Sequence, residues 1–550
     1  MRVTDTSDLW WKTAVIYCLD VETFLDWNND GVGDFAGLSH RLDYLQELGV
    51  TCLWLMPFYP SPEMDDGYDV SDFYDVDARF GHLGDLVEVI RTATDRGIRV
   101  IADLVVNHTS DKHPWFKASR SSRKSPFRDF YVWVDSPPKN QPKPVFPGQE
   151  TSIWQLDERT NQYYLHNFLR HQPDLNIANP LVRDEIAKVI GFWMQLGLSG
   201  FRVDAVPFFI DSAGTADRHK YLQSVRSYLS RRSGEAVLLG EVNLSYKEQL
   251  DYFEGPEGSE LTMQFDFLGM QHLYLSLARG DARPLAKTLI RRPVLDVEAQ
   301  WANFVRNHDE LTLDKLSDAE RNEVFDAFAP DAAQRVYGRG IVRRLPSMLG
   351  GDPRRIRMVY SLLFSLPGTP VLFYGEEIGM GENADIHDRA AVRTPMQWNS
   401  GRNGGFSDTR PSSLVAPMVS GGFSPEHINV SAQRHDPDSL LQFMRLLIDR
   451  YRASPEIGWG EFELLEHDHQ AVLAHSVTGA EGRLIAVHNF GAESATIELT
   501  IDGLDDSMQL VDLLHDGSIH PSAKGEVTIA LEGYGYRWLR VLAPGDKRLC

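Results

Sequence analysis

Eight apolar segments, rich in β-branched and aromatic residues, recur along the first two-thirds of the chain with helix-like stretches between them. They are AVIYCLDV, TCLWLMP, RVIADLVVNH, GFRVDAV, AVLLGEV, LTMQFDF, ANFVRNHD and VLFYGEE. A strand that is apolar along its whole length is buried on both faces, which marks a parallel sheet covered by helices. The intervening stretches LSHRLDYLQELG, DLVEVIRTATDRG and VRDEIAKVIGFWMQLG read as helices, and each ends at a glycine, a common helix stop. Eight such units close into a (β/α)8 TIM barrel, with a doubly wound sheet as the alternative.

Two regions break this rhythm. Between His108 and about Asn179 there is no strong helix, but many aromatics, prolines and charges (WFKASRSSRKSPFRDFYVWVD, PPKNQPKPVFPG). A connection that long is a functional loop or a small inserted domain, and it leaves the third strand on the face where barrel active sites form. After about Ser454 the pattern becomes short strands separated by turn residues (FELLEHD, AVLAHSV, RLIAVHNF, ATIELTI, MQLVDLL, GEVTIAL, YRWLRVL), which predicts an antiparallel β-sandwich. The expected division is a first barrel part at 1–108, an inserted domain at 109–172, a second barrel part at 173–454 and a sandwich at 455–550.

The formal charge of −23 argues against nucleic acid as a partner and against adsorption to anionic membranes. The longest apolar stretch, YSLLFSLPGTPVLFYG, is broken by Pro and Gly and does not span a bilayer. The N-terminus lacks the basic-then-apolar form of a secretion signal, so a cytoplasmic location is expected. Cys18, Cys52 and Cys550 are far apart and odd in number, forming neither a disulfide framework nor a metal cluster. The sequence is compatible with a homo-oligomer and does not define one.

The stretch DWNNDGVGDFAG, Asp26 to Gly37, begins like a calcium loop. The twelfth position is Gly37 and not the closing Glu of an EF-hand, and the segment before the loop is more strand than helix. The ligand chemistry survives without that scaffold: Asp26, Asn28, Asp30, Asp34 and the Val32 carbonyl can wrap one hard cation. A polar turn of DN and DG type is the plain alternative.

Three carboxylates stand at or just after strand ends: Asp204 in GFRVDAV, Glu241 in LLGEVN and Asp309 in FVRNHDE. Catalytic groups of a barrel collect at that end, although a lone carboxylate there is often only a helix cap. Arg202 lies two residues before Asp204, on the same strand face, where it can hold the carboxylate ionised. A charged nucleophile and a protonated acid are what glycosidic bond cleavage needs. His108 and His308 recur beside these groups, as satisfied structural residues or as contacts to sugar hydroxyls.

The ordered stretches DLVVNH, QPDLN, GFRVDAV, GEVN, RNHDE and GTPVLFYGEEIGM, with GYDVSDF and RTPMQW, resemble the motif set of the α-amylase superfamily, glycoside hydrolase family 13, over most of residues 10–410. The resemblance implies that Asp204 is the nucleophile, Glu241 the general acid/base and Asp309 the residue that grips sugar hydroxyls. It implies that Tyr68, His108, Phe168, Gln172, Arg202 and His308 line the subsite of the cleaved glucose, with Asp65 and Arg393 paired across its closed end. It also implies that the opening loop holds a structural Ca2+. A second calcium site would use Asn107, Asp174, Phe208, Phe209 and Asp211, or those residues form plain hydrogen bonds.

Within the family, FYVWVD, HQPDLNIANP, DAVPFFI, NHDELTL, IGMGENADIHDR and RTPMQWNSGRNGGFS resemble the branch that interconverts maltose and trehalose by intramolecular glucosyl transfer. Two departures point towards an α-glucosidase or an intermolecular transglucosylase on small α-glucosides: Glu22 stands near a usual Arg, and the connection SAGTADRHKYL is short. A non-catalytic sugar-binding subunit is the reading from another class; all three carboxylates are present against it.

Overall fold

The computed structural model describes residues 9–208, 215–255, 258–480 and 482–546. The eight apolar segments are the strands of a closed, all-parallel barrel. They are β1 (Ile16–Leu19), β2 (Cys52–Leu55), β3 (Arg99–Leu104), β4 (Gly200–Val203), β5 (Val237–Gly240), β6 (Met263–Phe265), β7 (Gln300–Phe304) and β8 (Thr369–Phe373). Each pairs with its sequence neighbour, and β8 returns to β1 with Val371 opposite Ile16. Gly200 shows why one strand opens on glycine. Its φ is +144°, and a Cβ there would sit 2.2 Å from the Val237 carbonyl oxygen of β5.

The three helices expected from spacing are present as α1 (Phe35–Leu48), α2 (Leu83–Asp95) and α3 (Pro180–Gln195). Local chemistry fixes their ends. Asp34 caps α1 by accepting the Gly37 amide at 2.7 Å, and Gly49 ends it in the left-handed conformation. Asn179 caps α3, with Pro180 in its first turn.

The segment between β3 and β4 folds around its own aromatics. A short helix, Pro114–Ser119, packs on a three-stranded antiparallel sheet of Trp133–Val134, Gln162–Leu165 and Trp154–Asp157. Phe116 lies between Trp133, Tyr131 and Tyr164, with ring centroids 4.9–5.8 Å apart. This accounts for an aromatic-rich stretch without a strong helix.

The C-terminal strands form a six-stranded antiparallel sheet and a two-stranded one packed face to face over Ile485, Val487, Ile497, Leu499, Ile529 and Leu539. This module is bound to the base of the barrel. The indole of Trp538 donates to Ser361 of α4 (Pro353–Ser365) at 3.0 Å, and a Cβ on Gly458 would come within 1.8 Å of the Lys12 carbonyl oxygen. Among the described residues no helix is long and apolar enough to cross a membrane.

Candidate active site

The site is organised by one guanidinium. Asp103 of β3 and Arg202 of β4 are direct partners across the sheet, and Arg202 is 1% exposed. Its Nη1 donates to Asp103 Oδ1 at 2.5 Å and to Asp204 Oδ1 at 2.7 Å, and its Nη2 donates to Glu241 Oε2 at 2.7 Å. Asp103 is in turn fixed by the Trp54 indole at 2.8 Å and, through its carbonyl, by the Tyr59 hydroxyl at 2.7 Å. Leaving any of these charges unpaired at this depth would cost several kcal/mol, so the four groups form one unit.

Electrostatics separate the three predicted carboxylates. Burial raises Asp204 to about 6, against the pull of Arg202. Enclosure raises Glu241 too, opposed by Arg202 and reinforced by the charges of Asp204 and Asp309. Burial also disfavours charge on Asp309, but His308, Arg389 and Arg393 outweigh it and hold its carboxyl well below the usual range. The arrangement offers an Asp204 ionised near neutral pH, a Glu241 whose carboxyl is raised and an Asp309 held charged, and retaining glycoside cleavage uses such a set of carboxylates.

The residue after Asp204 is strained. Ala205 has φ +47°, and its amide donates to Glu241 Oε2 at 3.2 Å. A left-handed non-glycine residue costs on the order of 1–3 kcal/mol and is held by its surroundings. Here it turns the chain so that its N–H faces Glu241.

Tyr68, His108, Phe168, Asp204, Glu241 and Asp309 line one cavity of about 460 Å³ at the C-terminal end of the barrel. Tyr68 stacks on His308 (5.4 Å, 9°), and its hydroxyl is 2.7 Å from His308 Nε2. His308 itself is fully buried behind Tyr68 and Asp309. His108 Nε2 donates to the Tyr68 carbonyl at 3.1 Å, which fixes its tautomer, and burial lowers its pKa to about 4, so it is neutral.

The closed end of the pocket departs from expectation. Asp65 and Arg393 do not pair. Asp65 is held by Arg389 and by the Gln172 amide at 2.7 Å. Arg393 instead binds Asp66, the His308 carbonyl at 2.8 Å and Asp309 Oδ1 at 2.9 Å. Arg389 reaches the same Asp309 oxygen at 3.0 Å. The result is a ladder of alternating charge, Asp65–Arg389–Asp309–Arg393–Asp66. The physical reason is a turn: a 3-10 segment, Arg389–Val392, places both arginines on the side facing the two adjacent aspartates.

Asp103, Arg389 and Asp66 were not singled out from sequence. Asp103 carried a signal, an acid inside an otherwise apolar strand, because a charge there needs a buried partner. Arg389 and Asp66 lie in irregular loops and carried none.

The cavity mouth is bridged by two remote segments. Arg339 Nη1 donates to the Val145 carbonyl at 2.9 Å, Gln149 donates to the Tyr337 hydroxyl at 3.4 Å, and the Phe146 and Tyr337 rings lie 5.0 Å apart. Phe146 also faces Phe168, which packs on Phe208 at 5.1 Å. The segment between β3 and β4 therefore meets the loop after β7 at the pocket.

In the opening loop, Asp26 accepts the Asn29 and Gly31 amides at 2.6 and 2.8 Å, Asn28 accepts Asp30 N–H and Asp30 accepts Val32 N–H, each at 2.9 Å. Asp34 accepts three amides, those of Trp27, Asn28 and Gly37. The donors are all oxygen and retain lone pairs, which fits a hard cation. Among the described residues no group of three or more His, Cys, Asp or Glu is gathered for a metal, so a cation here would lean on Asn28 and the Val32 carbonyl as well.

At the second candidate position Asn107 donates to Asp174 at 3.4 Å. Asn107 Oδ1 is buried with no protein partner, and burial raises Asp174 to about 8. Phe208 stands at the pocket rim; Phe209 and Asp211 lie outside the described residues.

A (β/α)8 barrel that presents two raised carboxylates on one arginine, beside a third held ionised in a sugar-sized pocket, is the framework of an enzyme acting on α-glucosides. The chain belongs to the α-amylase family: residues 19–327 and 341–460 match the model of the α-amylase catalytic domain. Residues 482–540 match that of a sucrose hydrolase-like C-terminal domain. The chain is 41% identical over 537 residues to the trehalose synthase of Thermus thermophilus, covering 96% of this chain but spanning only 55% of that relative's length. It is 39% identical over 556 residues to the trehalose synthase of Pimelobacter sp. (strain R48), covering 97% and 96% of the two chains. The crystal structure of the trehalulose synthase from Pseudomonas mesoacidophila MX-45 superposes with a TM-score of 0.77 at 26% identity, covering 97% of this chain and 99% of that one.

Proposed function

We propose that the protein interconverts maltose and trehalose by moving a glucosyl unit within a closed pocket. Asp204 attacks the anomeric carbon while Glu241 gives its proton to the departing oxygen, so the glycosidic bond breaks as the Asp204–carbon bond forms. Asp309 and the Asp65–Arg389 pair hold the transferred glucose, and Arg202 orients both reacting carboxylates. The released glucose turns and attacks through its own anomeric hydroxyl, Glu241 takes that proton, and Asp204 is freed. Starting and ending glycosidic bonds both keep the α configuration.

The observation that carries this reading is the bridge of Val145, Phe146 and Gln149 to Tyr337 and Arg339 over the pocket. A bridge on this side of the mouth narrows the path of water to the glucosyl-enzyme and helps to retain the leaving glucose. The test is to supply unlabelled maltose with excess labelled free glucose. The expected product is trehalose with little label and little free glucose. Abundant label in the disaccharide would overturn a sealed transfer.

An α-glucosidase is the second reading. Phe208, on the rim, is 36% exposed, so solvent reaches one side of the mouth. Predominant glucose release would decide for it.

One Ca2+ in the Asp26–Asp34 loop is part of the same proposal, as a structural ion that stabilises the entrance to α1 without touching the chemistry. A second cation between Asn107 and Asp174 is supported by the unpartnered Asn107 oxygen. A cytoplasmic location is supported by Cys18 and Cys52, both buried free thiols.

A further inference from the structure

We propose that Arg79 is a positioning residue for recognition of the terminal glucose: by gripping Glu22, Glu63 and Asp77 it holds the connection that presents Asp65 and Asp66 to the pocket. The inference rests on the α-glucoside reading above and assigns a role to a cluster outside the reacting groups.

The connection from β2 to α2 carries Asp65 and Asp66, two of the three aspartates of the charge ladder, and little regular structure supports it. Glu63, Asp66 and Gly67 all have left-handed backbones, with φ of +59°, +49° and +83°. Two of these are not glycine, so the surroundings must impose the shape. One internal support is Asp69, fully buried, which accepts the Asp65 amide at 3.2 Å and the Ser61 hydroxyl at 2.8 Å. The other support is Arg79, at the far end of the same connection. Its Nη1 donates to Glu22 at 2.7 Å, just beyond β1; its Nε donates to Asp77 at 3.1 Å; and its Nη2 forms an ion pair, without a hydrogen bond, with Glu63, two residues before Asp65. One planar fork thus ties the start of the connection to its end and to the exit of the first strand.

The cluster also communicates with the pocket by charge. Burial raises the carboxyls of Asp20, Glu22 and Glu63, and the charge of Asp66 adds to each in the same direction. Arg79, Arg393 and Arg389 are cations set against these five acids, Asp77 included. Without Arg79, Glu63 loses its partner in a place where burial already raises its carboxyl to about 9, and the peptide carrying Asp65 and Asp66 loses that tie. The contacts that suffer are those to the terminal glucose, made in both ground and transition states, so the loss appears in KM more than in kcat.

The experiment compares wild type, Arg79→Gln, Arg79→Lys and the triple variant Arg79→Gln/Glu22→Gln/Glu63→Gln, measuring kcat, KM for maltose and Tm. Arg79→Gln should raise KM about tenfold with kcat within about twofold, and Arg79→Lys, which keeps one charge but not the fork, should fall between. The triple variant removes the stranded acids and should regain Tm while KM stays high. An unchanged KM in Arg79→Gln, or a KM that returns to normal with Tm in the triple variant, overturns the proposal by showing a purely structural role. If Arg79→Gln does not fold, the KM of the triple variant decides alone. Wild-type turnover of maltose, read in the same series, tests the underlying glucoside reading separately.

Discussion

Replacing Asp204 by Asn should abolish turnover and, at the same time, make the protein more stable. The carboxyl is pushed from 3.8 in the unfolded chain to about 6 in the fold. A carboxyl whose folded pKa is raised costs stability as pH rises through that window: the unfolded chain releases its proton near the lower value, while the fold resists until the upper one. Two units correspond to about 3 kcal/mol at pH 8, at 1.36 kcal/mol per unit. At pH 4.5 most of the wild-type carboxyl in the fold is still protonated, and the cost falls to about 1 kcal/mol. The Asn variant lacks this term. Spread over 550 residues unfolding with about 2.1 cal/mol/K each, the gain is roughly 2–3 °C in Tm at pH 8 and should shrink by about two-thirds at pH 4.5. Differential scanning calorimetry of both proteins at the two pH values measures it. A variant that melts lower than wild type at pH 8, or whose gain is independent of pH, would refute the argument that Asp204 is held charged at the expense of the fold.

Three further outcomes follow from the same geometry. The acid limb of kcat/KM should fall below about pH 6, where Asp204 takes up its proton and can no longer attack, as a pH–rate profile on maltose will record. Arg339→Ala should loosen the mouth where Arg339 meets the Val145 carbonyl; the ratio of free glucose to trehalose should rise severalfold on chromatography, with maltose consumption little changed. Exhaustive chelation should lower Tm while leaving the initial rate on maltose unaltered in protein that remains folded, and calcium alone should restore it; an unchanged Tm together with no metal by elemental analysis would dismiss the ion in the Asp26–Asp34 loop.

The barrel could be read from the chain because strands buried on both faces must be apolar throughout, and helices between them must stop, here at glycines. Asp204 and Arg202 were legible for a related reason: charged residues two apart on a buried strand share a face and need each other. The closed end of the pocket was not legible. Asp65 and Asp66 are adjacent, and Arg389 and Arg393 are four residues apart in a loop. Which acid meets which base depends on a 3-10 turn and on left-handed residues that no periodicity announces. Loops place their side chains through tertiary contacts, so the family resemblance named Asp65 and Arg393 but neither Arg389 nor Asp66, with which they pair.

The closure of β1 on β8 sets a timetable for synthesis. Ile16 leaves the ribosome long before its partner Val371, and at about 5–20 residues per second the first strand waits roughly 20–70 s for the last. During that interval Ile16–Leu19, buried in the finished protein, has one edge without its partner. The wait is longer still for the base of the barrel, since Lys12 rests against Gly458 at the threshold of the C-terminal sheets. That C-terminal module is therefore a late clasp for the whole molecule. A nascent chain arrested before it emerges should be held by chaperones or cleaved by proteases, although every reacting group has already been made.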